Sequence, residues 1–294
     1  MTRNFRDRVI SGILVIPAVF SAMIFIVMVI TLFWKSEQIL STKPLIDLLL
    51  SSSWQPVAGN FGFFPFIMGT IWVTALAMVL AIPVSLLSAI YLSEYASGQV
   101  RGILQPVIDL LAGIPSVIFG LFGILLIVPL IKYSLAPLFG ITTSGYCVLA
   151  GGLILAIMVF PILISLSFEV FQTVPREMRE AALGLGATSW ETTKHVVLKK
   201  GFPGVIAVII LGFSRAFGET MAVLMVVGNV ARVPGSVFDP ADPIPALIAN
   251  NYGEMMSIPL YDSALMFAAL LLLAIVLVFN LMAKYVLVTI GKAE

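Results

Sequence analysis

Two residues of opposite charge interrupt a long apolar stretch of this sequence. Arg215 and Glu219 are the only charged residues between Pro203 and Val230. If the stretch is one helix, a spacing of four places both side chains on one face. Arg215 would lie about 18 Å beyond Pro203, near the middle of a bilayer, where an unpaired charge costs at least about 2.5–3.5 kcal/mol. The pair predicts either a contact that fastens helices together or a site on a polar path.

The chemistry of the two groups favours an anion. A guanidinium donates two parallel hydrogen bonds, which suits a tetrahedral oxyanion. The carboxylate of Glu219 could hold Arg215 when the site is empty, or accept a proton from a protonated oxyanion. Replacing both residues with apolar ones would be the simpler solution for packing alone. We therefore expect Arg215 and Glu219 to contact a substrate.

A second group of candidate residues lies between Asp109 and Gly120. Pro115 removes a backbone donor and is expected to kink the helix, while Gly113 and Ser116 allow neighbouring helices to approach. The break serves either packing or a water-filled cavity, where free carbonyls are tolerated. Asp109 is placed either at the membrane interface or within the membrane. We predict a helix break at Gly113 and Pro115, and Asp109 and Ser116 on the same polar path as Arg215.

Six apolar segments must position these residues. The chain is 60% hydrophobic and 11% charged, with a mean hydropathy of +1.11, which excludes a soluble enzyme and a disordered protein. Charge-free runs long enough to cross a bilayer predict an all-α membrane protein with six transmembrane helices. The predicted segments are Val9–Trp34, Phe66–Leu92, Leu110–Ile131 (starting near Ile103), Tyr133–Phe168, Pro203–Val230 and Ser263–Ala283.

Basic residues predict the orientation of these spans. With the N-terminus in the cytoplasm, eleven Lys and Arg lie inside, Lys292 among them, and four lie outside. Cytoplasmic loops carry such an excess, so both termini are expected in the cytoplasm. We divide the chain into residues 1–60, with the tail, first span and an external segment, and residues 61–294, the transmembrane core.

The longest cytoplasmic connection, at about residues 169–201, has strong helix signals. Arg176–Leu183 suits a short helix that Gly184 and Gly186 would end. Thr188 and Glu191 form a capping box for a second helix that runs to about Lys200. The loop is therefore predicted to fold as a helix, a glycine turn and a helix.

Several kinds of site are excluded by residue counts. One cysteine, Cys147, allows no internal disulfide, and one histidine, His195, allows no histidine-rich metal site. Neither forms a nucleophile-and-base arrangement, so a membrane-embedded enzyme is not favoured. A net charge of +1 gives no basic field for nucleic acid. No G-x-x-x-x-G-K-[ST] motif occurs, so the sequence has no phosphate-binding loop for ATP. We expect no metal and no cofactor.

The cytoplasmic loop resembles the EAA loop of ABC-importer permeases. The matching residues are Glu180, Ala181 and Ala182, followed after three residues by Gly186. The family pattern ends in a proline where this sequence has Lys199. The resemblance implies that these four residues dock into a groove of a cytoplasmic ATPase.

Three segments together resemble the phosphate-specific ABC permeases of the PstC type rather than the PstA type. They are DLLAGIPSVIFG (Asp109–Gly120), EAALGLGATSWE (Glu180–Glu191) and SRAFGETMAV (Ser214–Val223). The resemblance, from about Phe61 to the C-terminus, implies a type I importer permease core of the MetI-like fold. It assigns phosphate transport to Arg215 and Glu219, whereas the family usually has Glu at the position of Asp109.

The same resemblance implies partners and a location. They are a second, PstA-type permease, two copies of a cytoplasmic ATPase and an extracytoplasmic phosphate-binding protein, in a prokaryotic inner membrane. Two alternatives stay open. One is a permease for another oxyanion, such as molybdate or sulfate. The other is an ion-coupled secondary transporter, which would usually show internal repeats that this sequence lacks.

Overall fold

The computed structural model describes residues 2–253 and 259–290, so Lys292 lies outside the described residues. Two-residue strands β1 (Trp54–Gln55) and β2 (Asn60–Phe61) pair antiparallel. The α-helices are α1 (Thr2–Thr42), α2 (Leu45–Leu50), α3 (Phe64–Ile90), α4 (Gly98–Ala112), α5 (Ser116–Phe122), α6 (Val128–Leu130), α7 (Ala136–Leu138), α8 (Val148–Gln172), α9 (Arg176–Gly184), α10 (Ser189–Thr192), α11 (Leu198–Phe217), α12 (Met221–Leu224), α13 (Ile244–Asn251) and α14 (Pro259–Ile290).

The prediction of six membrane spans is confirmed. Within the described residues, six helical segments are long and apolar enough to cross a bilayer. We number them one to six in chain order. They are Gly12–Thr42, Phe64–Tyr95, Ser116–Leu138, Val148–Gln172, Ser189–Phe217 and Leu260–Thr289.

The predicted start of span three is wrong. Residues from Ile103 onwards were expected to open this span, but they belong to α4, a separate amphipathic helix that ends at Ala112. Span three begins at Ser116, after a break at Gly113–Pro115. Proline disfavours a helical conformation in the residue before it, and together with Gly113 at the end of α4 this favours the break at Ile114. The same break places Asp109 before the span instead of inside it.

Span three contains two π-helical turns, Gly123–Ile127 and Ile131–Leu135. Each is followed by one residue and then a proline, Pro129 or Pro137. A proline in a regular helix clashes with the carbonyl four residues earlier. The wider turn, in which each hydrogen bond spans five residues, moves that carbonyl away. The prolines are therefore accommodated without ending the span.

The centre of the bundle is the contact between α3 and α8. Ala77, Ala81 and Gly152 let the two helices approach closely, and a Cβ added at Gly152 would lie 2.6 Å from Leu76 Cδ2. Small residues at helix contacts are the usual means of close packing in a membrane. Helix α11 packs against this pair on one side and against α14 on the other.

The two ends of the bundle are built differently. We call the end with α9 and α10 the loop end. At the opposite end, Trp54 lies edge-on to Phe66 at 4.7 Å and contacts three further rings, Phe61, Phe63 and Tyr261. This cluster packs the segment between spans one and two onto α14. Span one is joined to α14 there by a hydrogen bond of 3.0 Å from the backbone amide of Ile39 to Ser263 Oγ.

A carboxyl group is buried in the segment between spans five and six. Asp242 is 7% exposed, its Oδ1 has no hydrogen-bond partner, and its backbone carbonyl lies against Gly69. Burial raises the pKa of Asp242 to about 7. The folded chain therefore holds a proton there that the unfolded chain releases near pH 4, so stability falls as pH rises from about 4 to about 7 and then levels off.

We expect Asp242→Asn to remove this pH dependence. The variant should be more stable than the unsubstituted protein at pH 8, and the difference should shrink towards pH 4. A shift from 3.8 to about 7 sets an upper limit of about 4 kcal/mol. The measurement is the thermal unfolding midpoint in detergent between pH 4 and 8.5. Asp47→Asn, at an exposed carboxyl on α2, is the control and should keep the original profile. Equal pH profiles for Asp242→Asn and the unsubstituted protein would contradict the assignment.

A glycine turn between spans three and four is tightly enclosed. Gly145 has φ +89°, and a Cβ added there would lie 2.4 Å from the carbonyl oxygen of Val128. Gly140 has φ +67°, but nothing lies within 4 Å of its added Cβ. An alanine at Gly140 would therefore meet only the strain of the left-handed backbone, whereas an alanine at Gly145 would meet that strain and a steric clash.

We expect Gly140→Ala to cost only the left-handed conformation, about 1–2 kcal/mol. Gly145→Ala should cost clearly more, because the backbone of span three must also move. Thermal unfolding of both variants at one pH tests this. Equal losses of stability would show that the contact with Val128 does not constrain the turn.

Candidate functional site

Arg215 lies at mid-depth in the bundle, in the last turn of α11. A Cβ added at Gly212 would lie 2.7 Å from Leu163 Cδ2 and 3.0 Å from Met78 Cε, which fixes the level of α11 against its neighbours. Arg215 is three residues, or about 4.5 Å, further along. This places it opposite the middle of α8, in agreement with the predicted depth. The described residues leave its side chain exposed.

The predicted pairing of Arg215 with Glu219 on one helix face is wrong. Helix α11 ends at Phe217, and Gly218 to Thr220 are not helical. A spacing of four residues therefore does not place the two side chains on one helix face. Among the described residues, no ion pair links the two side chains. The break also corrects the predicted extent of span five, which does not continue to Val230. A cation at the C-terminal end of a helix is stabilised by the helix dipole, by about 0.3–1 kcal/mol.

Glu219 instead caps the short helix α12. Its Oε1 accepts a hydrogen bond of 3.2 Å from the backbone amide of Ala222. The residue is half-buried and lines a cavity of about 10 Å³ together with Thr70 and Thr74 of α3. A cavity of this volume has room for about one water molecule. The carboxylate therefore faces the interior of this chain, while Arg215 is on its surface.

Helix α11 is fastened to α14 beside Arg215. Asn280 Nδ2 donates a hydrogen bond of 2.9 Å to Ser214 Oγ, and the ring of Phe279 packs against Phe213 and Phe217. With Ser214 turned towards α14 and Ala216 towards the core, Arg215 is directed to the uncovered face. The search for charges missed Asn280, although an amide inside an apolar span is itself a signal of helix contact.

The break at Gly113 and Pro115 is present, and it brings α5 beside α12. Ser116 is half-buried at the start of α5. A Cβ added at Gly120 would lie 3.3 Å from Ala222 Cα, so the two helices are in close contact. Within the described part of the chain, no hydrogen bond joins Ser116 to Arg215 or Glu219.

Asp109 is exposed on α4 and faces α8. Its Oδ1 accepts a hydrogen bond of 3.5 Å from Ser165 Oγ, seven residues before the end of α8 at Gln172. It is therefore about 10 Å from the loop end of that helix. The described residues show no contact between Asp109 and Arg215, so the structure does not join the two predicted site residues.

The loop between spans four and five has the predicted helix, glycine turn and helix. Helix α9 ends at Gly184, Gly186 adopts φ +88°, and the capping box of Thr188 and Glu191 is complete. Leu185 between the glycines is 90% exposed.

The four residues of the EAA pattern surround this turn at the loop end. Glu180, Ala181 and Gly186 are exposed, and Ala182 is half-buried. Met178, Leu183 and Trp190 of the same loop are exposed as well as Leu185, and several exposed apolar side chains together are typical of a contact surface.

A family model described as binding-protein-dependent transport system inner membrane component matches residues 81–288. A phosphate transport system permease protein PstC of Mesorhizobium japonicum is 37% identical over 275 residues, covering 89% of this chain and 84% of that protein. A probable phosphate transport system permease protein PstC of Methanocaldococcus jannaschii is 33% identical, covering 94% of this chain and 92% of that protein.

Solved structures show the same fold at lower identity. A chain of a bacterial alginate ABC transporter in complex with an alginate pentasaccharide-bound periplasmic protein has a TM-score of 0.63 and 18% identity, covering 98% of this chain and 96% of that chain. A chain of an amino acid ABC transporter has a TM-score of 0.51 and 17% identity, covering 76% and 91%. The prediction of an ABC-importer permease fold is confirmed. The chain belongs to the binding-protein-dependent inner membrane components, and within them to the family of the phosphate transport system permeases PstC.

Proposed function

We propose that this chain is the transmembrane subunit of an ATP-driven importer of inorganic phosphate and forms part of its translocation path. The observation that carries the proposal is Arg215: an exposed guanidinium at mid-depth, at the end of a broken helix, with no ion pair among the described residues. A charge in that position is costly unless an anion meets it. The names of the relatives support phosphate as that anion.

Arg215 fits phosphate by geometry as well as by charge. The planar guanidinium donates two parallel hydrogen bonds to two oxygens of a tetrahedral anion. Helix α11 presents it on a face that this chain leaves uncovered. The path is then completed by a second permease of the PstA type, which packs on that face. Asp109 and Ser116 line the same path towards the loop end.

In the proposed mechanism Glu219 acts on this site from the interior of the chain. It holds the start of α12 through the amide of Ala222 and shares a small cavity with Thr70 and Thr74. Through the one water molecule that the cavity can hold, it can accept a proton from a protonated oxyanion that passes outside the cavity. It thereby acts on the phosphate without forming an ion pair with Arg215.

The energy for transport comes from partners. Permeases of this family work with an ATPase and a binding protein. In the proposed assembly two ATPase copies dock on the paired permeases, and a phosphate-binding protein delivers the anion from outside. Glu180, Ala181, Ala182 and Gly186 form the docking surface, which the exposed Leu185 extends. Both chain termini then lie in the cytoplasm of a prokaryotic cell.

A permease for another oxyanion is the second candidate. Sulfate and molybdate are also tetrahedral, so Arg215 would accept them by the same two hydrogen bonds. The ion-coupled secondary transporter is set aside, because the chain belongs to the ABC permeases. Competition of each anion with labelled phosphate separates the remaining two.

We expect Arg215→Gln to lower phosphate uptake by about a hundredfold or more, because two charge-assisted hydrogen bonds of about 1.5–3 kcal/mol each are lost. Arg215→Lys should also be poor, since an ammonium cannot reproduce the two-donor geometry. Glu219→Gln should impair uptake too. The measurement is uptake of labelled phosphate at matched membrane abundance. Lys132→Gln is the control: it removes a cation of span three that is not assigned to the path, and it should leave uptake unchanged.

The described residues show no ion pair between Arg215 and Glu219, and the double variant Arg215→Gln, Glu219→Gln tests in the assembled transporter that the two charges form no structural pair there either. A structural pair recovers when both charges are removed, because neither is left unpaired. A transport site stays inactive. Near-normal phosphate uptake in the double variant would therefore refute the assignment of Arg215 to the substrate path.

The proposed orientation is tested by cysteine labelling in a Cys147→Ala background. Cys147 is the one cysteine of the sequence, so replacing it leaves no thiol other than the one introduced. In intact cells an impermeant thiol reagent should label Ser51→Cys and Ser236→Cys, at the opposite end, but not Ser189→Cys at the loop end. Labelling of Ser189→Cys before the cells are broken would reverse the orientation. Labelling of all three sites after lysis is the control for their accessibility.

A further inference from the structure

A partly buried ion pair ties the loop between spans four and five to the end of span two. Arg179 on α9 donates from Nε to Glu94 Oε2 at 3.0 Å and from Nη2 to Glu94 Oε1 at 2.9 Å. The two side chains are only 18% and 10% exposed. This is a two-bond arginine–carboxylate pair, the geometry that holds both partners in a fixed orientation.

The same guanidinium also holds the end of span four. It donates to the backbone carbonyls of Phe171, at 2.8 Å, and Val174. These carbonyls lie at and just beyond the C-terminal end of α8, where helical partners run out. Arg179 therefore binds spans two and four at once.

Further polar contacts extend this joint on the side of span two. Ser93 Oγ donates to Glu94 Oε1 at 2.6 Å and accepts from Gln172 at the end of span four. Arg101 of α4 donates to the carbonyls of Leu92 and Ser93. The contact with Ser93 thus helps to hold the carboxylate of Glu94 in the position in which it accepts from Arg179.

Little else anchors α9 to the spans. None of its residues is fully buried, and only Arg179 and Ala182 are even half-buried. The helix otherwise packs against α10 and the turn Thr193–Val197, which lead into span five. A displacement of α9 therefore reaches span two mainly through one side chain, whereas span four is also joined to α9 by the chain itself, through residues 173–175.

We propose that Arg179 is the positioning residue that transmits movement of α9 to span two through Glu94, and that it holds the end of span four to the same movement through the carbonyls of Phe171 and Val174. This rests on the proposed docking of an ATPase at the loop. The connection runs along the helices: α3, which leads to Glu94, carries Thr70 and Thr74 beside Glu219 about 30 Å away, and α8 contacts α12. Movement at the loop end thereby changes the surroundings of the site at mid-depth.

The variants Arg179→Lys, Arg179→Gln and Glu94→Gln test the joint in the full transporter, reconstituted with its ATPase, partner permease and phosphate-binding protein. Three quantities are measured: copurification of the ATPase, the rate of ATP hydrolysis, and phosphate taken up per ATP hydrolysed. We expect the ATPase to stay bound and hydrolysis to continue. Uptake per ATP should fall about fivefold or more, the lower end of typical coupling between sites.

A purely structural role gives a different result. It would lower assembled protein, hydrolysis and uptake together and leave uptake per ATP unchanged. Arg232→Gln is the matched control, because Arg232 forms a 2.9 Å pair with Asp239 in the segment between spans five and six. It should leave the ratio unchanged. Gly186→Asp, at the docking turn, should instead release the ATPase. It shows how a loss of docking appears in the same measurements.

The outcomes separate this inference from the proposed function. An unsubstituted chain that binds no ATPase refutes the proposed function itself. Bound ATPase with unchanged uptake per ATP in both Arg179→Lys and Glu94→Gln overturns the role of Arg179 and leaves the proposed function standing. Failure of both conservative variants to assemble also overturns it, since the pair would then serve folding alone.

Discussion

The hydrocarbon core of a bilayer offers no water to a free backbone group, so a helix can stop at mid-depth only where protein covers its end or a water-filled cavity reaches it. Helix α11 stops in this way at Phe217. The segment that follows is held by the backbone amide of Cys147, which donates to Val226, and by that of Ala241, which donates to Val227. The separation of exposed Arg215 from half-buried Glu219 depends on this end of α11, because the chain leaves the helical path after Phe217. A continuous helix in span five would have carried Glu219 onto the same surface.

Apolar packing brings the spans together, and a few polar contacts set their register. At the loop end the register is set by Arg179 and Glu94, and at mid-depth by Asn280 and Ser214. At the opposite end the backbone amide of Ile244 donates to Thr70 Oγ at 2.9 Å. Lipid is as apolar as the helix surfaces, so contacts of this kind specify a helix arrangement that burial alone leaves open.

Local patterns in the sequence were sufficient for the spans and for the loop. Charge spacing found all six spans, and the capping box at Thr188 is present because its partners lie three residues apart. The prediction failed at Glu219, where it assumed a continuous helix although Gly218 offered a signal. At Asp109 the break at Gly113 and Pro115 was predicted, but it was placed inside span three instead of before it.

Contacts between distant residues could not be predicted from one sequence. Arg179 and Glu94 are 85 positions apart, and Asn280 and Ser214 are 66 apart. Neither pair has a spacing that links its members before the helices are packed. The exposure of Arg215 was equally hidden, because it follows from the rotation of α11 between α8 and α14. The depth of Arg215, by contrast, needed only a count of residues from Pro203.

The two π-helical turns of span three bear on how this sequence is compared with its relatives. A π-helical turn amounts to one residue inserted into an α-helix. Here each one stands one residue before a proline, Pro129 or Pro137, and makes room for the proline ring. We therefore expect the inserted residue and the proline to be gained or lost together. A single-residue gap inside a membrane span, commonly treated as an alignment error, is at these two places the expected trace of a lost proline.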